Sequence, residues 1–207
     1  MGSKLHNLDL ELHAREHIEE GDKCFYFMEK EAEGYAKSTA NNLINNFKKP
    51  ADRRGKPEWI YKERAIKIFI KDLCDLGYSH PYTIIPAPTS KPRGHADWDD
   101  RLDQVVDGLA SCKTELAVEK ALDTNSVLTP AHLGGSRDID DIKDATVWRG
   151  IGTLHGDTVI LVDDVLTTGA HFKAWKEFIM KNDSRVKNVI GLFWTLHIWG
   201  LPFKIED

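Results

Sequence analysis

Between Thr158 and His171 the chain reads T-V-I-L-V-D-D-V-L-T-T-G-A-H, so two adjacent carboxylates, Asp163 and Asp164, close an apolar run just before Thr167-Thr168-Gly169. Charge is expensive to desolvate at the end of a buried segment, and an ordinary strand-and-turn has no use for two acids there. Neighbouring carboxylates can accept hydrogen bonds from sugar hydroxyls or help to position a hydrated Mg²⁺. The hydroxyl and glycine residues suit an anion. Backbone N–H groups of the turn and the positive end of a following helix would converge on one spot, and Gly169 lets an anion approach the main chain.

A second loop, Pro86-Ala-Pro-Thr-Ser-Lys-Pro-Arg-Gly94, carries Ser90, Lys91 and Arg93 at its tip. Prolines fix its shape, and its cations suit a polyanion such as pyrophosphate. The plain alternative is a proline-rich surface turn with incidental charge. Near the start, His13-Ala-Arg-Glu-His17 spells H-x-x-E-H, which on a helix would set two imidazoles on one face as metal ligands. No apolar periodicity surrounds it, and matches of that size arise by accident. A solvated helix or lead-in segment is expected there.

The stretch Val159-Ile-Leu-Val-Asp-Asp-Val-Leu-Thr-Thr-Gly169 resembles the phosphoribosyl-pyrophosphate (PRPP) motif of type I phosphoribosyltransferases. Pro86–Gly94, in the form P-x-P-x-S-x-x-R-G, resembles the pyrophosphate loop of the ComF branch of that family. The likeness runs from about residue 58 onward. It implies an α/β fold of the phosphoribosyltransferase type, a parallel twisted sheet flanked by helices. The core would span 58–207, with an N-terminal extension or hood over 1–57, in one structural domain overall.

The same resemblance implies a Mg²⁺-dependent enzyme that transfers a phosphoribosyl group from PRPP to a nitrogen acceptor, a nucleobase, and releases pyrophosphate. Asp163 and Asp164 would be the catalytic pair, holding the ribose and touching metal only indirectly, via ribose or water. Thr167, Thr168, Gly169, Ala170 and His171 would wrap the 5′-phosphate. Ser90, Lys91, Arg93 and, from a closing loop, Arg137 would take the pyrophosphate. His171 stands where the family has Thr or Ser, and the cysteine zinc knuckle that often opens ComF proteins has no counterpart in this chain. A non-catalytic PRPP- or nucleotide-binding sensor or accessory protein, linked to DNA uptake or another nucleic-acid process, is the alternative. Receiver domains place most of their fold after the Asp-Asp strand, and too little chain follows here. Dehalogenase-type phosphatases need acids two apart.

The elements that must position these residues follow from periodicity. Val159–Val162 is a strand buried on both faces of a parallel sheet. Phe172, Trp175, Phe178 and Ile179 form one face of the helix behind it, and Val186–Leu196 is a further strand. Tyr82–Ile85 is the strand that feeds the proline loop, and Leu102, Val105, Val106 and Leu109 mark the next helix. Trp59–Leu76 is the clearest helix, with Ile66, Phe69, Ile70, Leu73 and Leu76 as its core stripe and Gly77 as its cap. Earlier, Cys24–Met28 reads as a short strand and residues 37–49 as a polar helix at the edge of the core, halted by Pro50. Residues 113–122 stay ambiguous between the end of that helix and a strand over Ala117–Leu122, and Asp138–Asp144 reads as a short acidic helix. Alternating strands and helices place both loops outside the carboxyl ends of the strands, where such sheets bind ligands. An acceptor hood would come from the amino-terminal region and Trp199–Asp207.

With 207 residues and 41% hydrophobic content, the chain can bury a full single core. A net charge of −5 gives no electrostatic footprint for nucleic acid; Arg53, Arg54 and Lys56 are the one basic cluster and read as a solvated loop. No run is long and apolar enough for a bilayer, and no secretory leader opens the chain. Cys24, Cys74 and Cys112 lie far apart and read as small buried hydrophobes in a reducing, cytoplasmic setting. The expected partner is a small molecule, PRPP or a nucleotide, with a homodimer possible.

Overall fold

The computed structural model describes residues 4–31, 38–125 and 138–199. It is mixed α/β, with a mostly parallel six-stranded sheet flanked by helices. The strands are β1 (His6–Asn7), β2 (Cys24–Glu31), β3 (Thr83–Pro86), β4 (Ala117–Val118), β7 (Thr158–Leu166) and β8 (Asn188–Ile198), in the order β1-β2-β8-β7-β3-β4. All neighbours run parallel except the β1–β2 pair. A separate two-stranded antiparallel sheet pairs β5 (Leu122–Thr124) with β6 (Thr146–Trp148), and the ambiguous stretch 113–122 holds β4 and the start of β5 rather than one strand or a helix end.

Among the described residues there are five α-helices, α1 (Thr39–Phe47), α2 (Trp59–Cys74), α3 (Arg101–Cys112), α4 (Ile139–Asp144) and α5 (Ala170–Asn182), and one 3-10 turn at Ala51–Arg53. Strand β8 divides them by its pleat, since successive side chains point to opposite faces. Trp194 is fully buried between Phe47 of α1 and Phe69 of α2, stacking on Phe69 at 4.8 Å, and its indole N–H donates to Asp72 Oδ2 at 3.0 Å. Its neighbour Phe193 meets Phe172 of α5 on the other face. A buried indole that also finds a hydrogen-bond partner adds specificity to apolar burial.

Several expectations are corrected. Helix α1 is no edge element: Ile44 and Phe47 are buried at the centre of that cluster, because one turn of spacing gathers its few apolar residues on one stripe. Helix α2 stops at Cys74 with Asp75 as its cap, so Gly77 caps nothing. Within the amino-terminal part of the chain, β2 extends the main sheet by pairing with β8 over Cys24–Glu31. Of the two readings of the H-x-x-E-H segment, a solvated helix or a lead-in segment, the non-helical one holds, since His13–His17 form a bend and a turn.

The cysteines are also corrected. Cys74 and Cys112, the last residues of α2 and α3, form a disulfide across a Cα–Cα distance of 6.2 Å, leaving only Cys24 as a buried free thiol. Successive helices of a parallel sheet run in the same direction, so equivalent ends meet although 38 residues separate them. No described helix is long and apolar enough to cross a membrane.

Candidate functional site

Strands β3 and β7 are adjacent and parallel, with Pro86 opposite Val162, and the Ala87 N–H donates to the Val162 carbonyl at 2.9 Å. The proline loop therefore leaves β3 at the same end of the sheet at which the acidic pair closes the neighbouring strand β7. The first turn of α3 ties them together. Arg101 reaches Asp164, and Asp103, two residues on, pairs with Arg93 of the proline loop.

Asp164 is buried and ion-paired on two sides, to Arg101 at 2.9 Å and to Lys48 Nζ at 2.9 Å. Lys48 follows the last residue of α1, so burying Phe47 is what brings the ammonium to the acid. Burial works to raise the Asp164 carboxyl, but Lys48 and Arg101 overcome it and hold it below the usual carboxylate range. Asp163 behaves oppositely: burial, and then the charge on Asp164, push its carboxyl up. Its Oδ1 accepts the backbone N–H of Asp164 at 2.7 Å. The pair thus offers one ionised acceptor and one carboxyl biased towards holding a proton, which together can accept from and donate to vicinal hydroxyls.

Behind Arg101 lies a second layer. Asp99 bonds Arg101 and also receives Lys62 Nζ at 2.7 and 2.8 Å. Lys62 is fully buried, donates further to the Lys49 carbonyl at 2.7 Å, and sits 5.2 Å from the Trp59 ring centre. Burial lowers the pKa of its ammonium despite Asp99. The chain Lys48–Asp164–Arg101–Asp99–Lys62 is a continuous alternation of charge.

In the proline loop, Ser90 is exposed at the tip, Lys91 pairs with Asp97 at 2.8 Å, and Arg93 pairs with Asp103 while lying over Trp98. The Arg93 backbone N–H donates to buried Asp123, whose carboxylate also receives Arg149. Between this loop, Trp98 and Asp123 remains a cavity of ≈10 Å³, room for about one water. The cations expected to meet a polyanion are engaged with carboxylates.

Gly169 caps α5 with φ of +90°, a backbone state that only glycine adopts at no cost. Thr168 and Ala170 are buried, Thr167 is half-buried, and the His171 ring lies 5.0 Å from that of Trp175. The amino-terminal segment straps across this turn. The His17 N–H donates to the Thr168 carbonyl at 3.0 Å, and the Ile18 side chain rests directly on Gly169. One turn earlier, Arg15 donates to the His197 carbonyl at 2.8 Å and lies over Trp199, its Nε buried without a partner.

Asp163, Asp164, Lys91, Arg93 and the 167–171 turn therefore share one edge of the sheet. Arg137 lies outside the described residues, as do residues 200–207 of the expected hood. Among the described residues no group of three or more His, Cys, Asp or Glu is arranged to hold a metal; His13 and His17 face Glu29 and Glu16 instead.

Sequence reasoning missed Lys48, Lys62, Asp99 and Arg101. Two of them carried a signal. Lys62 falls on the same stripe as Ile66, Phe69 and Leu73, where a lysine is costly unless paired. Arg101 opens a helix, where a cation opposes the dipole. Comparison with known proteins finds no matching family model and no matching relative.

Proposed function

We propose that this chain binds PRPP as its Mg²⁺ complex and transfers the phosphoribosyl group to a nitrogen nucleophile, in the manner of a type I phosphoribosyltransferase. The observation that carries the reading is the shared edge. The acidic pair lies near the carboxyl end of β7 and the hydroxyl-and-glycine turn follows that strand, while the cationic proline loop follows the adjacent parallel strand β3.

In this reading Asp163 and Asp164 hold the ribose 2′- and 3′-hydroxyls as a donor–acceptor pair. The turn at Thr167–His171 receives the 5′-phosphate on its backbone N–H groups. Lys91 and Arg93 exchange Asp97 and Asp103 for the pyrophosphate. The C1–oxygen bond breaks with its electron pair leaving on pyrophosphate, and the acceptor nitrogen forms the new bond to C1. The protein contributes orientation and neutralisation of the leaving charge. Asp164 already carries two protein cations, so these residues do not make a resident metal cage, and Mg²⁺ enters as part of the substrate.

A second reading, a PRPP- or nucleotide-responsive protein without turnover, is favoured by one specific observation. Ile18 covers Gly169, and every cation of the proline loop is spoken for by a carboxylate. One assay separates the two. Pyrophosphate release from Mg-PRPP across a panel of nucleobases supports transfer, and calorimetric binding without release supports the sensor. If the Asp163→Asn/Asp164→Asn variant, still folded, binds PRPP and nucleotides as the parent does, both readings fail.

A further inference from the structure

The opposite edge of the sheet holds a cleft of ≈590 Å³, within the range of small-molecule sites. It opens where β2, β3, β7 and β8 begin, so the length of β7 separates it from Asp163. We propose that this cleft is a second binding site, for a phosphorylated small molecule with a flat apolar body, of nucleoside monophosphate size.

Its cations differ from those of the carboxyl edge in one decisive respect. Lys23 and Lys187 both line the cleft and are exposed, and neither has an ion-pair partner among the described residues; the Lys187 ammonium donates to the Ser184 carbonyl. Lys176, which also lines it, is already matched to Asp22. Two unmatched ammonium groups on one concavity are a phosphate receptor of the point-charge kind.

His155 adds a directional group. Its Nδ1 lies 3.1 Å from the Glu115 carbonyl, which can only accept, so Nδ1 carries the hydrogen and Nε2 is the nitrogen left for a ligand. Asp157 is the one carboxylate among the lining residues and suits a ribose hydroxyl. The floor is fixed, because the Asp157 carbonyl accepts the N–H groups of Lys187 and Asn188 at 2.7 and 3.1 Å. Apolar surface comes from Pro81, Tyr82 and Met180, the last left exposed on α5, with His80 beside them in the lining. A flat ring can lie on such a surface while its phosphate meets the lysines.

The test is amide-shift mapping and calorimetry on the full chain, with AMP, ribose 5-phosphate, adenosine and inorganic phosphate as probes. AMP should bind saturably and most tightly of the four, moving the amide signals of Gly156, Lys187 and Asn188. Lys23→Ala/Lys187→Ala should weaken that binding at least tenfold, equivalent to about 1.4 kcal/mol. Both lysines are solvent-facing, so the variant should melt as the parent does. The proposal is overturned by absence of saturable binding for all four probes, by shifts confined to residues 163–171, or by undiminished affinity in the double variant.

Discussion

Ile18 sits on Gly169 so closely that a Cβ added to the glycine would fall 2.5 Å from the isoleucine Cδ1. Two segments far apart in sequence are thereby fitted to each other at the mouth of the candidate site. The glycine satisfies both a left-handed backbone and this close approach.

Gly169→Ala should therefore cost about 2–4 kcal/mol, from backbone strain and from displacing Ile18. Ile18→Ala alone should cost roughly 2–3 kcal/mol as a buried truncation. Because alanine at 18 removes the atoms that collide, the double variant should be less destabilised than the sum. Urea titration of the four proteins measures the coupling, and strict additivity would refute the contact.

The acid pair predicts an asymmetry. Asp164→Asn breaks a buried ion pair and should cost about 3 kcal/mol, the low end for such losses because Arg101 keeps Asp99. Asp163→Asn keeps an oxygen for the Asp164 N–H and should be mild. Asp163 binds its proton more tightly folded than unfolded, so its contribution to stability declines as pH rises from about 4 through its raised folded value. Asp164 contributes above the ordinary carboxylate range, and that contribution is lost as pH falls through its depressed folded value. Relative to the parent, Asp163→Asn should gain stability as pH rises; a gap that stays constant from acid to neutral pH would contradict this.

Lys62 presents a different case. Lys62→Met should cost about 3 kcal/mol, since it leaves Asp99 and the Lys49 carbonyl without their buried ammonium. The readout is again the urea midpoint, and an unchanged value would mean that the buried charge contributes nothing.

Reduction should also be felt. Opening the Cys74–Cys112 bridge, which closes a loop of 38 residues, should lower stability by about 2–4 kcal/mol. Thiol titration of the denatured, unreduced protein should find one reactive cysteine, Cys24. Three would remove the bridge from the account.

Sequence and structure agree best where a long apolar pattern repeats. The Val159–Val162 run and the Leu102–Leu109 stripe dictate their elements, and both loops follow at the strand ends. What stayed hidden depends on pairing across distance. Nothing local says that Lys48 will reach Asp164 across 116 residues, nor that Cys74 and Cys112 occupy equivalent ends of successive helices. Short elements such as β4 and β6 carry too few residues for a period. The placement of β2 beside β8 was equally invisible, because strand partners are chosen by the whole sheet rather than by either segment.

The interior position of β8 has a consequence for biosynthesis. It is gripped on one flank by β2 and on the other by β7. On a ribosome adding about 5–20 residues per second, roughly 10–30 s separate completion of the first of these partners from emergence of the strand that joins it. For most of that interval β2 alone waits for its partner, and once β7 is complete the nascent chain displays two unsatisfied sheet borders until β8 arrives. A chain terminated ahead of Asn188 would keep them for good, making it a substrate for chaperones and proteases rather than a smaller version of the same protein.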